Sequence, residues 1–319
     1  MSTILVTGGA GFIGSHTCKA LSAAGLQPVV IDNLSTGFRH NVKWGPLIEG
    51  DVGDRTLLNQ IFLEYPVAGV IHFAASTYVG ESMSVPLQYY RNNVAATLNL
   101  LEAITAHGSP PLIFSSSCAT YGIPVGPLTE DHPQNPVNPY GWSKLMCERL
   151  ILDTAMAHGL RAAILRYFNA AGADPDGELR EEHDPETHLI PLAVGAALGT
   201  RPPLKVFGTD YPTPDGTCIR DYIHVSDLAS AHVRALGELQ GGSPGFIRNL
   251  GTGRGHSVAQ VLEAIAAVTG RPVAHELHPR RPGDPPALTA PVSEEVSAGL
   301  RFPGLSAIIN SVTGRLHDA

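Results

Sequence analysis

The sequence predicts an α/β protein with a doubly wound parallel sheet and a smaller C-terminal α/β domain. Three observations predict this class. Short β-branched or apolar runs alternate with long helix-compatible stretches, the first run ends in glycines, and an aspartate ends the second run. Apolar runs this short are typical of parallel strands that are covered by helices on both faces.

Each element is predicted from its own residues. The predicted strands are "TILVT" (3–7), "PVVID" (28–32), a third strand before "EGDV" (49–52), "AGVIHFA" (68–74), "PLIFSSS" (111–117) and "AAILRYFN" (162–169). The predicted helices run from Phe12 to Ala24, across "LQYYRNNVAATLNLLEAITAHG", and from about Tyr140 to Met156. The segment "GADPDGELREEHDPETH" is rich in glycine, proline and acid, which indicates a crossing to a second domain.

Composition and charge exclude several classes of protein. The chain has 319 residues, of which 43% are hydrophobic and 16% charged, as is typical of folded proteins. A formal net charge of −8 argues against a nucleic-acid partner, and no apolar run approaches the ~20 residues of a membrane span. We find no signal-peptide pattern and no CxxC spacing, so we expect a cytoplasmic protein with reduced thiols.

No metal site is expected from the sequence. His183 and His188 lie near acids in "EEHDPETH", but Pro185 and the mixed charges indicate a loop. The segment contains neither an HExxH motif nor a pair of closely spaced cysteines.

The glycine-rich turn "TGGAGFIG" predicts a dinucleotide site of the Rossmann type. Gly8, Gly11 and Gly14 let the turn tighten, let the backbone approach a diphosphate, and let the following helix pack on the sheet. The helix N-terminus attracts that anion. Asp32 ends the second strand, where a carboxylate accepts hydrogen bonds from an adenosine ribose and favours NAD over its phosphorylated form. Asp51 is a candidate acceptor for the adenine.

The stretch "NPYGWSK" predicts a catalytic base. On a helix, Tyr140 and Lys144 share one face. An ammonium about 4 Å away, at an effective dielectric of about 20, would favour the phenolate by about 4 kcal/mol, or nearly three pKa units. Alone, this spacing more often marks the solvated face of a surface helix. Ser117 lies at the carboxyl end of a predicted strand, where open parallel sheets bind ligands, and the three residues together favour chemistry.

These motifs carry a resemblance to a known family. The chain resembles the extended short-chain dehydrogenases/reductases and, among them, the UDP-glucose 4-epimerases (UDP-galactose 4-epimerases). The match runs nearly end to end and includes "TGGAGFIGSH", "IHFAAS", "FSSSCATYG", "PYGWSK", "LRYFN", "NLGTG" and "PRRPGD". The blocks "VGES" and "DYPTPDGTCIRDYIHV" are more particular to the epimerases than to the wider superfamily.

The resemblance implies a role for each matched residue. Tyr140 would be the base, Lys144 would bind the nicotinamide ribose and lower the pKa of Tyr140, and Ser117 would bind the reacting sugar hydroxyl. The implied NAD contacts are Gly8, Gly11, Phe12, Ile13, Gly14, Asp32, Asn33, Leu34, Ser35, Thr36, Gly37, Asp51, Val52, Phe73, Ala74, Ala75, Ser76, Thr77, Asn92, Tyr140, Lys144 and Phe168. The implied substrate contacts are Ser117, Tyr140, Asn169, Leu189, Phe207, Arg220, Arg281, Asp284 and Leu288.

The implied activity is reversible epimerisation at carbon 4 of UDP-glucose and UDP-galactose, through a transient 4-keto sugar, in galactose and nucleotide-sugar metabolism. Residues 1–170 would form the NAD-binding domain, with returning segments within about 219–255, and residues 171–319 mainly the UDP-sugar-binding domain. A homodimer is implied through paired helices around residues 87–106 and 140–156.

Departures from the best-known bacterial pattern leave the range of sugars open. Thr77 stands where a lysine can occur, "TAPV" (289–292) lacks the usual Ala-Asp pair, and Leu288 replaces a residue that bears on sugar size. The alternatives are an epimerase of UDP-N-acetylhexosamines or of UDP-uronic or pentose sugars, and a dehydratase or decarboxylase of the same fold. A dehydratase would need an Asp-Glu pair where Cys118 and Ala119 stand. A non-catalytic NAD sensor would not need Tyr140 and Lys144.

Overall fold

The computed structural model describes residues 1–124, 126–281, 283–291 and 303–314. The chain divides into two compact units. The first comprises Met1–Gly122, Glu130–Tyr167 and Leu228–Asn249, and the second comprises Ile123–Thr129, Phe168–Asp227 and Leu250–Ala319. Val292, the last residue of the "TAPV" departure, and the C-terminal end lie outside the described residues.

The strands have the following bounds. They are β1 Thr3–Thr7, β2 Gln27–Asp32, β3 Leu47–Glu49, β4 Val67–His72, β5 Leu112–Ser117, β6 Ala162–Tyr167, β7 Asn169–Ala171, β8 Leu204–Phe207, β9 Ile219–His224, β10 Gly245–Leu250, β11 Gly255–Ser257, β12 His275–His278 and β13 Ala287–Leu288.

The helices connect these strands. They are α1 Phe12–Ala23, α2 Arg55–Glu64, α3 Val79–Ser82, α4 Pro86–Tyr89, α5 Ala96–Ala106, α6 Pro139–His158, α7 Leu189–Leu198, α8 Val225–Gln240, α9 Val258–Thr269 and α10 Leu305–Thr313, with a π-helix at Tyr90–Ala95 and 3₁₀ turns at Arg39–Asn41 and Cys118–Tyr121. Across the described ranges, every helix is too short or too polar to span a lipid bilayer.

The first unit is built on a seven-stranded sheet with the order β10-β6-β5-β4-β1-β2-β3. The pairs from β1 to β6 are parallel, and Thr7 lies opposite His72 in the register of β1 and β4. This arrangement confirms the predicted Rossmann-type doubly wound sheet. The strand order reverses between β1 and β4, and in such sheets ligands bind at the carboxyl ends of the strands at that point.

The core of the first unit explains why these runs form strands. Leu5, Val29, Val70, Leu112 and Ile164 come from five neighbouring strands and are almost completely buried in one apolar cluster. Each buried side chain of this size contributes about 1.5–3 kcal/mol relative to an exposed one. Burial on both faces accounts for the continuous apolar runs in the sequence.

Three predicted elements differ from the structure, and the first is the strand predicted at 68–74, which runs from Val67 to His72. The single helix predicted across residues 87–108 is divided by the π-helix at Tyr90–Ala95, where Asn93 is buried and makes polar contacts. A π-helical turn often accompanies a functional site. The strand predicted at 162–169 ends at Tyr167, and the segment Phe168–Asp227 that follows belongs to the second unit.

The described residues of the second unit form two small sheets. One has the order β11-β9-β13, with β7 also paired to β9, and the other pairs β8 with β12 in parallel. Helices α7, α9 and α10 supply Ile190, Val194, Val261, Ile265 and Ile309 to a shared apolar cluster. This packing fixes the start of α7 and the strand β9, which both carry predicted substrate residues.

Candidate active site

The turn between β1 and α1 has a conformation that favours glycine. Gly8 has a φ of +71°, and a Cβ atom there would lie 2.6 Å from the backbone nitrogen of Ala74. Gly11 is the N-cap of α1, and no side chain hydrogen-bonds to this cap position. A close backbone approach next to a helix N-terminus without a side-chain cap suits a diphosphate. The predicted contacts Phe12, Ile13 and Gly14 form the first turn of α1.

Asp32 connects this turn to the end of β2. Its Oδ2 accepts a hydrogen bond from the Ala10 amide at 3.0 Å, and its Oδ1 accepts one from the Leu34 amide at 2.9 Å. Burial raises the pKa of Asp32, and these two amides oppose the rise. A carboxylate can accept about four hydrogen bonds, so two amides leave capacity for a ribose hydroxyl.

The predicted adenosine contacts after β2 and β3 lie together. The side chain of Asn33 donates to Asp51 at 3.0 Å, and its oxygen accepts from the Ser35 amide at 3.1 Å. Asp51 also accepts from the Gly53 amide at 2.7 Å. Residues 32–37 therefore form a tight turn beside Asp51, with Leu34 in the left-handed region at a φ of 56°. Thr36 and Gly37 complete this turn, and Val52 is buried after Asp51.

The segment after β4 runs beside the glycine turn. The amides of Phe73 and Ala74 donate to the backbone oxygen and to Oγ1 of Thr7, at 3.0 and 3.3 Å. The side chain of Asn92 donates to Ser76 Oγ at 3.0 Å. Ala75 is half-buried and Thr77 is exposed in the same segment. The predicted contacts from 73 to 77 and Asn92 are thus brought to the carboxyl ends of β1 and β4.

Asn93, which was not predicted from the sequence, is a buried polar residue beside the predicted NAD contacts. It is 2% exposed, accepts a hydrogen bond from the Ser76 amide at 2.8 Å and donates to Ser143 Oγ at 2.9 Å. Asn93 therefore joins the segment after β4 to α6. The one available signal was the "NNV" motif, in which a second amide follows Asn92 inside an otherwise apolar helical stretch.

The structure brings Ser117, Tyr140 and Lys144 to the carboxyl end of β5. The hydroxyl of Ser117 hydrogen-bonds to Tyr140. Lys144 is 3% exposed and donates through Nζ to the backbone oxygen of Ser115 at 2.7 Å. Its ammonium lies 5.0 Å from the ring centroid of Phe114. A hydroxyl, a phenol and an ammonium in this arrangement can move a proton.

Local sequence explains how α6 presents these side chains. Asn138 caps the helix by accepting from the Gly141 amide at 2.8 Å, and Pro139 occupies the first turn. Caps of this type and a proline at the first helical position both favour helix initiation. A Cβ atom on Gly141 would lie 2.5 Å from the backbone oxygen of Ala119, so glycine permits α6 to approach the chain after β5.

The predicted net lowering of the pKa of Tyr140 is not seen in this structure. Burial is the largest influence and raises the pKa of Tyr140 to about 12; the Ser117 hydrogen bond lowers it, and Cys118 raises it. The ammonium of Lys144 points instead to the Ser115 carbonyl, and burial lowers the pKa of Lys144 to about 8. At neutral pH Lys144 is therefore mostly charged and Tyr140 is protonated.

A buried ion pair lies one turn beyond Lys144 on α6. Glu148 accepts from Nη2 of Arg166 on β6 at 2.7 Å, and the two side chains are 2% and 3% exposed. Glu148 also accepts from Ser116 and, at 3.0 Å, from Gln134. These contacts fasten α6 to β5 and β6 and so help to position Lys144. Neither residue was predicted from the sequence.

In the second unit, four of the predicted substrate residues form one cluster. Arg220 pairs with Asp284, and Arg281 Nε lies 3.8 Å from the same carboxylate. The Arg281 guanidinium lies 4.6 Å from the ring centroid of Phe207. Two guanidinium groups beside an aromatic ring suit a nucleoside diphosphate, because arginine binds phosphate through its planar fork and stacks on rings.

The remaining predicted residues of the second unit lie on separate elements. Asn169 is on β7 opposite Tyr222, and Leu189 is the first residue of α7. Leu288 is buried on β13, opposite Arg220 in the register with β9. Phe168 is buried at the start of the segment Phe168–Asp227.

Known proteins share both the sequence and the fold of this chain. Residues 4–251 match the NAD dependent epimerase/dehydratase family. A UDP-glucose 4-epimerase of Rhizobium meliloti (strain 1021) is 53% identical over 290 residues, which cover 91% of this chain and 88% of that protein.

Two crystal structures have the same architecture. UDP-glucose 4-epimerase from Brucella ovis, solved in complex with NAD, is 51% identical with a TM-score of 0.94, and the match covers 99% of this chain and 98% of that one. The enzyme from Bifidobacterium longum, in complex with NAD⁺ and UDP, is 37% identical with a TM-score of 0.92 over 99% of both chains. The Rossmann-type sheet and these matches establish that the chain belongs to the NAD dependent epimerase/dehydratase family.

Proposed function

We propose that the protein is an isomerase that interconverts UDP-glucose and UDP-galactose by NAD-dependent epimerisation at carbon 4. The observation that carries this proposal is the meeting of Ser117, Tyr140 and Lys144 at the end of β5. It is supported by relatives named UDP-glucose 4-epimerase, which are about half identical to this chain over most of its length.

The glycine turn, Asp32, Asp51 and the segment 73–77 with Asn92 would hold NAD. When bound, NAD supplies the acceptor for the hydride that leaves carbon 4 and carries a positive charge on its nicotinamide ring. Two features of this chain suit NAD. The backbone amides at the N-terminus of α1 can donate to its diphosphate, and Asp32 can still accept a hydrogen bond from its ribose.

Tyr140 takes the proton of the hydroxyl at carbon 4, directly or through Ser117, and later returns it. Because burial raises the pKa of Tyr140 to about 12, this residue needs positive charge nearby to act as a base at neutral pH. The Lys144 ammonium and the oxidised nicotinamide are the candidates for that charge. The Ser117 hydrogen bond already favours the phenolate.

The uridine diphosphate would be held by residues of the second unit. The proposed contacts are Asn169, Leu189, Phe207, Arg220, Arg281, Asp284 and Leu288. The cluster of two arginines and an aromatic ring supports this assignment. Affinity that comes from the diphosphate, which does not react, leaves the 4-keto sugar free to turn and present its opposite face.

Product analysis tests this function directly. Purified protein incubated with UDP-galactose and no added NAD should yield UDP-glucose, and denaturation of the same sample should release a stoichiometric amount of NAD. Formation of a 4-keto-6-deoxy sugar, or full activity in a preparation that contains no NAD, would contradict the proposal. The same assay with UDP-N-acetylgalactosamine, on wild type and Leu288→Gly, measures how far Leu288 restricts the sugar.

We further infer that the enzyme works in the cytoplasm, in galactose and nucleotide-sugar metabolism. All four cysteines are buried thiols outside any disulfide, which suits a reducing compartment.

We also propose that the protein is a homodimer. Helices α5 and α6 expose several large apolar side chains: Leu98 at 43%, Trp142 at 39%, Met146 at 41%, Leu152 at 40% and Met156 at 82%. An apolar surface of this kind on a folded protein is typical of an interface. A second copy of the chain, packing the same helices against their counterparts, would cover it.

Charge introduced on this surface should separate the dimer. The double variant Leu98→Glu/Met146→Glu is expected to halve the mass measured by light scattering, because a carboxylate buried at an apolar interface without a partner is costly. Leu63→Glu is the matched control, since Leu63 is 78% exposed on α2, outside α5 and α6. A monomeric wild type, or a double variant with unchanged mass, would refute this interface.

A further inference from the structure

The loop before α7 gathers four side chains of the kinds that bind metal ions. Glu181, His183, Glu186 and His188 each offer a nitrogen or oxygen atom, and these four atoms lie within 4.8 Å of one another. The segment "EEHDPETH" has no standard metal-ligand spacing, so the cluster cannot be predicted from its sequence. The fold of the loop brings the four residues together.

Three distances within the cluster are close to those between the ligands of a tetrahedral site. His183 Nδ1 lies 3.8 Å from Glu181 Oε1 and 3.3 Å from Glu186 Oε2, and His188 Nδ1 lies 3.3 Å from Glu181 Oε1. Nitrogen and oxygen ligands bind zinc at about 2.0–2.1 Å, which places neighbouring ligands of a tetrahedron about 3.3–3.4 Å apart. The two imidazoles already direct the same ring nitrogen towards the carboxylates.

The oxygen Glu181 Oε1 is an independent sign of a missing partner. Its side chain is only 3% exposed, and within the described part of the chain this atom accepts no hydrogen bond. Buried carboxylate oxygens are almost always paired. Glu186 differs, because its Oε1 accepts from the amides of Thr187 and His188, both at 2.8 Å, and also lies 2.8 Å from Nδ1 of His188. Those contacts leave Glu186 Oε2 as the atom that faces His183.

Charge and donor type select the class of metal. Two carboxylates side by side repel each other, and a divalent cation would neutralise them. Imidazole nitrogens favour zinc and its transition-metal neighbours, whereas magnesium and calcium prefer oxygen ligands alone. Four protein ligands form a closed site of the structural kind, without the open position of a catalytic metal.

We propose that Glu181, His183, Glu186 and His188 bind a divalent transition-metal ion of the zinc class in a structural site. The ion fastens the loop that leads into α7, because His188 is the N-cap residue directly before that helix.

Metal titration of the full-length protein tests this proposal. After dialysis against a chelator, wild type should bind Co²⁺ at a single saturable site, with the intense visible absorption of tetrahedral cobalt, and Zn²⁺ should displace it. Glu181→Gln and His183→Gln should each weaken binding by more than the about 10–100-fold that loss of an outer-shell partner typically costs. Zn²⁺ should raise the Tm of wild type and not that of either variant.

Two control variants separate this site from general binding at the surface. Glu182→Gln changes the adjacent carboxylate, and His158→Gln removes an exposed histidine at the end of α6; both should bind cobalt as wild type does. Octahedral cobalt spectra, or equal affinity in wild type and in the Glu181→Gln/His183→Gln double variant, would overturn the proposal. X-ray absorption on zinc-loaded wild type gives a check that does not depend on variants folding, since it must show two imidazoles among nitrogen and oxygen ligands.

Discussion

Replacing Tyr140 by phenylalanine is expected to slow turnover by about 10²- to 10⁴-fold, the usual cost of a lost general base. The ring keeps its packing while the group that carries the proton disappears, so the fold and the NAD content should be unchanged. The measurements are kcat with UDP-galactose, thermal unfolding, and NAD released on denaturation. Tyr65→Phe is the matched control, because Tyr65 follows α2 and lies away from the carboxyl end of β5.

The pH profile gives a second test of Tyr140. Because its folded-state pKa is raised to about 12, the phenolate fraction grows as the pH rises, and kcat of wild type should increase from acidic pH. The increase should flatten above about pH 8, where Lys144 loses its positive charge, since its pKa is lowered to about 8. A rate for Tyr140→Phe near that of wild type, with the same pH profile, would show that another group is the base.

Arg166→Met is expected to destabilise the protein by about 3–5 kcal/mol, because it leaves the buried Glu148 carboxylate without its cation. Methionine fills a similar volume, so the loss of stability reports mainly the unpaired charge of Glu148 and only slightly the change in packing. Chemical unfolding in urea gives the free-energy change. The matched control is Arg149→Met on α6, the helix that carries Glu148, since the Arg149–Asp153 pair is 74% and 51% exposed on its two side chains. Exposed pairs contribute about 0–1 kcal/mol.

A double variant distinguishes the loss of the ion pair from the cost of leaving one carboxylate unpaired. Arg166→Met/Glu148→Leu removes both charges and should be more stable than Arg166→Met alone, because no unpaired carboxylate remains. If Arg166→Met cost no more than Arg149→Met, the ion pair would not be the contact that holds α6 against β6.

The sheet was largely predictable from sequence. Strands β1 and β2 and helix α1 begin and end within a residue of their predicted bounds, because apolar runs bounded by glycine and charged residues reflect local structure directly. The rule that parallel strands bind ligands at their carboxyl ends then indicated where Ser117 would lie.

The polar interior was not predictable in the same way. Asn93, Glu148 and Arg166 look like ordinary helix or strand residues, and their partners come from distant parts of the chain. The same limit explains the error over the pKa of Tyr140. Spacing shows which residues share a helix face. The burial of the Tyr140 phenol, and the hydrogen bond from Lys144 to the Ser115 carbonyl, arise only once the chain has folded.

The late position of β10 in the sequence delays completion of the first unit's sheet during synthesis on the ribosome. The first unit begins at Met1, yet its seventh strand is supplied by Gly245–Leu250. Until that segment has been synthesised, β6 is an edge strand with unpaired backbone groups, which are prone to pair with another chain. Domains usually fold as units in order of synthesis. Here the whole segment Phe168–Asp227 of the second unit must be made before the nucleotide-binding sheet can be completed.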